Sequence, residues 1–138
     1  MIAPEQEVLA AENWGPSALD EMREARRKHQ DAVAGRRDEW IRSNKYFYDR
    51  LKRLLRFIVE PRKRVLEVRC ETGHLLASVM PSYGLGVEIS ESMVACASQQ
   101  FPNLQFRQSD PEDLELNETF DYILFNHVFD TVDILRGS

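Results

Sequence analysis

The fold of this chain is decided by residues 64–76, which read RVLEVRCETGHLL. The apolar, partly β-branched run at 65–68 predicts a buried strand with Glu67 near its carboxyl end. Gly73 and the leucines after it predict a tight loop and the first turn of a helix. Such a junction presents backbone N–H groups above the carboxyl edge of a sheet, where open α/β folds bind nucleotide-like ligands.

Strands and helices alternate through the rest of the chain. Further strands are predicted at about 84–89, 104–107 and 120–125, because each segment is short, apolar and bounded by turn residues. Ser90 is placed to cap a helix after the first of these, and a final helix is predicted to start near Asp130. The alternation predicts an α/β fold with a parallel sheet and right-handed crossovers.

Two helices are predicted before the first strand, and residues 1–16 have the pattern of a short helix or a loose arm. The first helix should span about 17–34 and end near Gly35, because glycine commonly ends helices. The second, at about 37–59, carries an apolar stripe. The basic cluster of the first helix has two interpretations, an anion or RNA contact and, favoured by the mixed charges, a solvated face; it comprises Arg23, Arg26, Arg27 and Lys28.

Composition excludes several classes of partner. A net charge of -5 argues against a nucleic-acid-binding surface as the main purpose. No apolar run approaches the roughly 18 residues of a membrane span, and the N-terminus lacks the pattern of a secretory signal. The two cysteines, Cys70 and Cys96, have no metal or redox spacing, which predicts reduced thiols in a cytoplasmic protein.

A second acidic residue ends the second predicted strand. Glu88 follows the glycine-containing loop at about the separation at which ribose-binding acids occur, roughly twenty residues. A carboxylate there accepts hydrogen bonds from both ribose hydroxyls. Together with Glu67 and Gly73, it predicts a nucleoside-binding edge.

The series Glu67-x-Arg69-x-Glu71-x-Gly73 resembles the cofactor motif of class I S-adenosylmethionine (SAM)-dependent methyltransferases, an acid followed by glycines at every second position. The acid and the last glycine match, whereas Arg69 and Glu71 replace the first two glycines. The resemblance covers about 46–136 and continues through residues 65–67, 86–90, 93, 97, 109–114 and 120–123. It indicates an enzyme of the type that methylates small molecules.

The resemblance implies a Rossmann-like parallel sheet of strand order 3-2-1-4 flanked by helices. Residues 1–45 would form an N-terminal helical extension, and 46–138 an incomplete methyltransferase-like domain. Family members normally add three strands after the fourth. We therefore expect either a homodimer through the fourth strand or a missing C-terminal portion that covers it.

The resemblance also implies roles for individual residues. Glu67 would hold the amino-acid end of SAM, Glu88 the ribose and Asp110 the adenine amino group, while Asn126 and His127 would lie near the sulfonium and the acceptor. The implied cofactor-binding set is Glu67, Arg69, Glu71, Gly73, Glu88, Ile89, Asp110, Pro111, Glu112 and Asn126.

Three histidines have different interpretations. His127 is the one histidine placed to act as a base, if the acceptor must lose a proton; the alternative is that it is a helix-start residue. His29 and His74 have no partner at metal spacing and are predicted to be structural. A nicotinamide site fits the sequence less well, because the second and third glycines of a dinucleotide loop are absent.

The two replaced glycines predict impaired cofactor binding. Glycine serves such loops where φ is positive or where the backbone lies against the ligand. Arg69 is long enough to fill the methionine pocket or to fold back onto Glu67, Glu71 or Glu88, and Glu71 would repel the cofactor's carboxylate. We expect weak or absent SAM binding, so the alternative function is a catalytically impaired fragment or interaction module.

Overall fold

A computed structural model describes residues 15–127 and 131–136, with side chains described for 18–126. The helices are α1 Gly15–Ser43, α2 Lys45–Ile58, α3 His74–Ser78 and α4 Glu91–Gln100, and a 3-10 turn spans Pro111–Asp113. The strands are β1 Arg64–Val68, β2 Tyr83–Glu88, β3 Gln105–Gln108, β4 Tyr122–His127 and β5 Thr131–Arg136.

The sheet has the predicted centre and one additional strand. Its order is β3-β2-β1-β4-β5, and the first four strands are parallel. This confirms the predicted order 3-2-1-4. β1 lies in the middle with Glu67 beside Gly86 of β2, so the junction at 64–76 emerges at the centre of the sheet's carboxyl edge.

The prediction of a helix after β4 is wrong. Asp130 lies outside the described residues, and Thr131–Arg136 forms β5, antiparallel to β4. Its β-branched residues favour a strand, and pairing with β4 satisfies backbone groups that an open edge would leave exposed. The expectation of a homodimer or of a missing C-terminal portion assumed that one edge of β4 had no neighbouring strand. That assumption is wrong, because β5 occupies this edge. Dimerisation itself stays a prediction.

The predicted break at Gly35 is also wrong. α1 is helical from Gly15, two residues before the predicted start, to Ser43, and the break before α2 falls at Asn44. A side chain at position 35 would meet nothing within 4 Å, so Gly35 carries only its intrinsic helix cost of about 1 kcal/mol. Burial of Ala34 and Arg37 on either side offsets that cost. The predicted arm at 1–16 lies almost wholly outside the described residues.

The core lies on both faces of the sheet. On one face, Leu55 of α2 and Leu76 of α3 pack against Val65 and Leu124. On the other, Leu66, Val68, Leu85, Val87 and Phe120 form a second cluster. Alternate residues of β1 thus point to opposite faces, and burial on both sides explains why the strand has a continuous apolar sequence.

Candidate functional site

Three acidic side chains are brought to the carboxyl edge of the sheet. Glu67 belongs to β1, Glu88 ends β2, and Asp110 follows β3. Their exposed fractions are 0%, 2% and 9%. Because β1, β2 and β3 are adjacent and parallel, their carboxyl ends meet at one edge, as the sequence predicted. Buried carboxyl groups need donors or cations nearby, so the surroundings of each one indicate what it can bind.

Glu67 is buried without a hydrogen-bond partner. Neither of its carboxyl oxygens receives a hydrogen bond from a described residue. Burial raises the pKa of Glu67 well above its usual value, and the negative charge of Glu71 adds to the effect. A completely buried acceptor pair of this kind is suited to a hydrogen-bonding or cationic ligand group, because an unpaired buried polar group is costly.

Glu88 is held by two backbone amides. Its Oε1 accepts a hydrogen bond from the Glu71 N–H at 3.2 Å, and its Oε2 accepts one from the Ser90 N–H at 2.9 Å. Burial raises the pKa of Glu88, and these amides oppose the rise. A carboxylate has about four acceptor positions, so Glu88 retains capacity for two further donors.

Asp110 caps the turn after β3. Its Oδ1 accepts a hydrogen bond from the Glu112 N–H at 3.0 Å, and Pro111 provides the first residue of the turn. Its Oδ2 is buried without a hydrogen bond, although the Arg23 Nε lies 3.4 Å away. The predicted site residue Ile89 follows β2 and accepts a hydrogen bond at its carbonyl from Gln108 at 3.3 Å.

The loop between β1 and α3 adopts the conformation that the family motif reserves for glycine. The φ angles are 63° at Arg69, 52° at Glu71 and 85° at Gly73. Positive φ, one of the two reasons given for glycine in such loops, is therefore observed at both replaced positions. A Cβ at Gly73 would lie 2.8 Å from the Phe106 ring. Of these three positions, Gly73 is therefore the one at which neighbouring atoms leave no room for a side chain.

Arg69 does not fold back onto the neighbouring acids, so that predicted alternative is wrong. Within the described part of the chain, no hydrogen bond or ion pair holds its guanidinium. Glu71, two residues after Arg69, pairs with a different arginine. The Nε of Arg37 in α1 lies 3.1 Å from Glu71 Oε2, and both side chains are less than 10% exposed. Sequence reasoning missed this contact because it divided α1 at Gly35 and assigned Arg37 to another helix.

α1 lies along the same edge through a series of polar contacts. Arg23 forms ion pairs with Asp110 and with Glu112, at 3.4 and 2.8 Å, so a solvated face is the wrong interpretation for Arg23. Gln30 and Arg37, the two polar residues that are buried among the described side chains of α1, follow at intervals of seven. This spacing, which places all three on one side of a helix, was the signal in the sequence that α1 packs against the site.

The residues at the end of β4 are only partly described. Asn126 is half-buried and pairs with Val132 of β5. His127 ends β4 opposite Thr131, but its side chain lies outside the described ones, so its catalytic role stays a prediction. His74 Nε2 lies 3.0 Å from Asp38 Oδ1, which ties α3 to α1 and fits the structural role predicted for it. No metal-binding group of His, Cys, Asp or Glu occurs among the described residues.

Glu71 should make stability depend on pH. Burial raises its pKa from 4.5 to about 7, although Arg37 opposes the shift. The folded state then binds more protons than the unfolded chain between these values, so stability falls as the pH rises through that window. We expect Glu71→Gln to flatten this fall, by up to about 1.4 kcal/mol per pKa unit removed. Denaturant unfolding across the window measures it, with the exposed Glu91→Gln as control, and an unchanged slope would contradict the assignment.

A family model described as "Methyltransferase domain" matches residues 65–136, from the first residues of β1 to the end of β5. The chain belongs to the class I SAM-dependent methyltransferases. The matched region includes Glu67, Glu88 and Asp110, the acids at the sheet edge. In this chain, α1 precedes the matched region.

The relatives support the same family. Over 79 residues the chain is 34% identical to a malonyl-[acyl-carrier protein] O-methyltransferase of Bacillus anthracis and 35% identical to one of Bacillus cereus. The matched segment covers 53% of this chain and 29% of each relative.

Solved structures share the fold. The DhpI-SAM-HEP complex has a TM-score of 0.62 at 22% identity, covering 76% of this chain and 50% of that one. A putative methyltransferase bound to the Trm112 activator of Haloferax volcanii has a TM-score of 0.58 at 23% identity, covering 70% and 46%. No helix within the described ranges is long and apolar enough to cross a membrane.

Proposed function

We propose that this chain carries the cofactor-binding part of a SAM-dependent methyltransferase that acts on a small-molecule acceptor. The observation that carries the proposal is the set of buried acids on three adjacent strands, two of which retain acceptor oxygens without a hydrogen bond from described residues, Glu67 and Asp110. SAM offers donors of matching kind: an ammonium, two ribose hydroxyls and an adenine amino group. The solved complexes of DhpI with SAM and SAH share the fold.

Each acid would bind one part of the cofactor. Glu67 would accept from the ammonium end, Glu88 from the ribose hydroxyls and Asp110 from the adenine amino group. Ile89, Pro111 and Glu112 would border the nucleoside. When bound, SAM supplies an electrophilic methyl group. The chain's contribution is to fix the cofactor by its polar ends, since holding reactants in line is the main source of rate in such displacements.

Two further assignments belong to the proposal. Residues 1–45 are assigned to an N-terminal extension, helical from Gly15 onward, and 46–138 to the methyltransferase-like domain, in which Asn126 and His127 would face the acceptor. We also assign a cytoplasmic location, because both cysteines are free thiols. Nucleic acid and membrane are not expected partners. The acceptor is a small molecule or a small group presented to the site.

A second candidate is a catalytically impaired member of the family, with weak SAM binding. The observation that favours it is the loop: Arg69 and Glu71 hold the positive φ of the glycines that they replace. The side chains of Arg69 and Glu71 therefore project from positions at which the family motif has no side chain. Glu71 also adds a buried carboxylate that would repel the cofactor's own carboxylate.

Calorimetric titration of SAM into the full chain tests both candidates. We expect measurable binding with a dissociation constant weaker than roughly 0.1 mM, that is, less than about 5.5 kcal/mol of binding free energy. Low-micromolar binding would contradict the impaired candidate and leave the methyltransferase proposal. Absence of heat at millimolar SAM, together with absence of binding when the loop glycines are restored, would contradict the proposal itself.

A further inference from the structure

The loop at 69–73 holds a conformation that its own sequence disfavours. A left-handed backbone costs a residue with a Cβ roughly 1–2 kcal/mol, and two such residues, Arg69 and Glu71, occur here within three positions. Strained backbone of this kind persists only where the surrounding structure restrains it. A tertiary contact must therefore hold the loop in the place of the missing glycines.

Two contacts meet at Glu71. Its backbone N–H donates to Glu88 Oε1 at 3.2 Å, which fixes the backbone on the side of β2. Its carboxylate lies 3.1 Å from the Arg37 Nε, a buried ion pair without a hydrogen bond that draws the side chain toward α1. Glu71 is thus held between a strand end and a helix, and it is the one of the two strained side chains with a charged partner among the described residues.

Arg37 is itself held firmly. Its guanidinium lies over the Trp40 ring, 5.3 Å from the centroid. The next residue, Asp38, lies 3.0 Å from His74 and accepts a hydrogen bond from Gln100 at 2.6 Å. These contacts fasten this turn of α1 to α3 and α4. Arg37 therefore reaches Glu71 from a fixed base, and its planar guanidinium loses little freedom in the contact.

The charge of Arg37 matters as much as its position. Glu67, Glu71 and Glu88 are buried at the same edge, and the negative charges of Glu71 and Glu88 both raise the pKa of Glu67. Arg37 is the cation paired with this group. Without it, Glu71 would be a buried carboxyl group with no counter-charge, and the relief would come from protonation or, above its pKa, from moving the side chain out to solvent.

We propose that Arg37 is a positioning residue for the cofactor loop: by pairing with Glu71 it holds the loop at 69–73 in the left-handed path that glycine provides elsewhere in the family. α1 is then a working part of the site instead of a separate extension. The consequence for SAM binding rests on the proposed function. The effect on the loop does not, and it can be measured without cofactor.

Amide hydrogen exchange by NMR on the full chain tests the proposal. In Arg37→Gln we expect exchange at the Glu71 and Gly73 amides, which donate to Glu88 and to the Cys70 carbonyl, to become at least tenfold faster. The Val87 amide, within β2 and outside the loop, should change less than twofold. Arg36→Gln, at an exposed position on the same helix, is the matched control and should leave all of these amides unchanged.

Two outcomes would overturn the proposal. One is unchanged exchange at Glu71 and Gly73. The other is equal acceleration at every amide, which would mean that Arg37 only stabilises the fold. If Arg37→Gln does not fold, Arg37→Lys keeps the charge but loses the planar guanidinium, and we expect a smaller acceleration confined to the loop.

A second substitution separates positioning from a direct role. In the Glu71→Gln background, Arg37→Gln should accelerate loop exchange less than threefold, because the ion pair is already gone. Equal acceleration in both backgrounds would show that Arg37 does not act through Glu71 and would overturn the proposal. Failure of SAM to bind would count against the proposed function. It would not bear on the role of Arg37 in the loop, which the exchange rates test without cofactor.

Discussion

Restoring the two glycines should tighten SAM binding at least tenfold. The variant combines Arg69→Gly with Glu71→Gly. It removes a long side chain and a buried carboxylate from the positions at which the family motif has none, so the cofactor's own carboxylate is no longer repelled. A tenfold gain corresponds to about 1.4 kcal/mol of binding free energy. Removing one buried negative charge that repels the cofactor's carboxylate can account for a gain of this size.

The matched control for this gain is Arg62→Gly. Arg62 also has a positive φ, 61°, but it precedes β1 and lies away from the acidic edge. It undergoes the same conformational relief without altering the cofactor loop, so its SAM affinity should equal that of the parent chain. Calorimetric titration of all three proteins measures the effect. Equal affinity in the double-glycine variant and the parent would mean that the loop does not limit binding.

Removing the charge at the end of β2 should have the opposite effect. In the double-glycine variant, Glu88→Gln should weaken SAM binding tenfold or more, because charge-assisted hydrogen bonds to two hydroxyls contribute roughly 1.5–3 kcal/mol each. Glutamine keeps the volume but only one acceptor oxygen, so one of the two backbone amides, at position 71 or at Ser90, loses its partner. Thermal unfolding checks that the fold survives this loss.

Glu91→Gln is the corresponding control. It removes an acid three positions further on, exposed in the first turn of α4, and it should leave SAM affinity unchanged. A Glu88 variant that binds SAM as well as its parent would exclude Glu88 as the ribose ligand. Loss of affinity in both variants would indicate a general effect of negative charge and would not support a specific contact.

The central strands could be predicted because their determinants are local. Val65, Leu66 and Val68 are apolar at nearly consecutive positions, and the alternation of such segments with helices predicts a parallel sheet. The strand order 3-2-1-4 came from the family resemblance. The positions of Glu67 and Glu88 then follow from strand direction alone. Positive φ at Arg69 and Glu71 was one of two explanations that the motif offered for glycine, and the structure was needed to choose it.

The errors arose where distant contacts outweigh local preference. Gly35 should end a helix by its own propensity, but contacts of α1 on both sides of it extend the helix to Ser43. The partner of Glu71 could not be found near the motif, because Arg37 precedes it by more than thirty residues. The strand after β4 is set by pairing with a neighbour, which hydrophobic periodicity over six residues does not reveal.

The central claim is that the edge formed by Glu67, Glu88 and Asp110 is the SAM site. Its most direct test is a titration of the ¹⁵N-labelled chain with SAM to millimolar concentration, followed by amide chemical shifts. The account predicts the largest shifts at residues 70–74, 88–90 and 110–112, with none in the groove of α2 lined by Tyr46, Leu51 and Leu54. Shifts confined to that groove, or no shifts in the double-glycine variant, would contradict it.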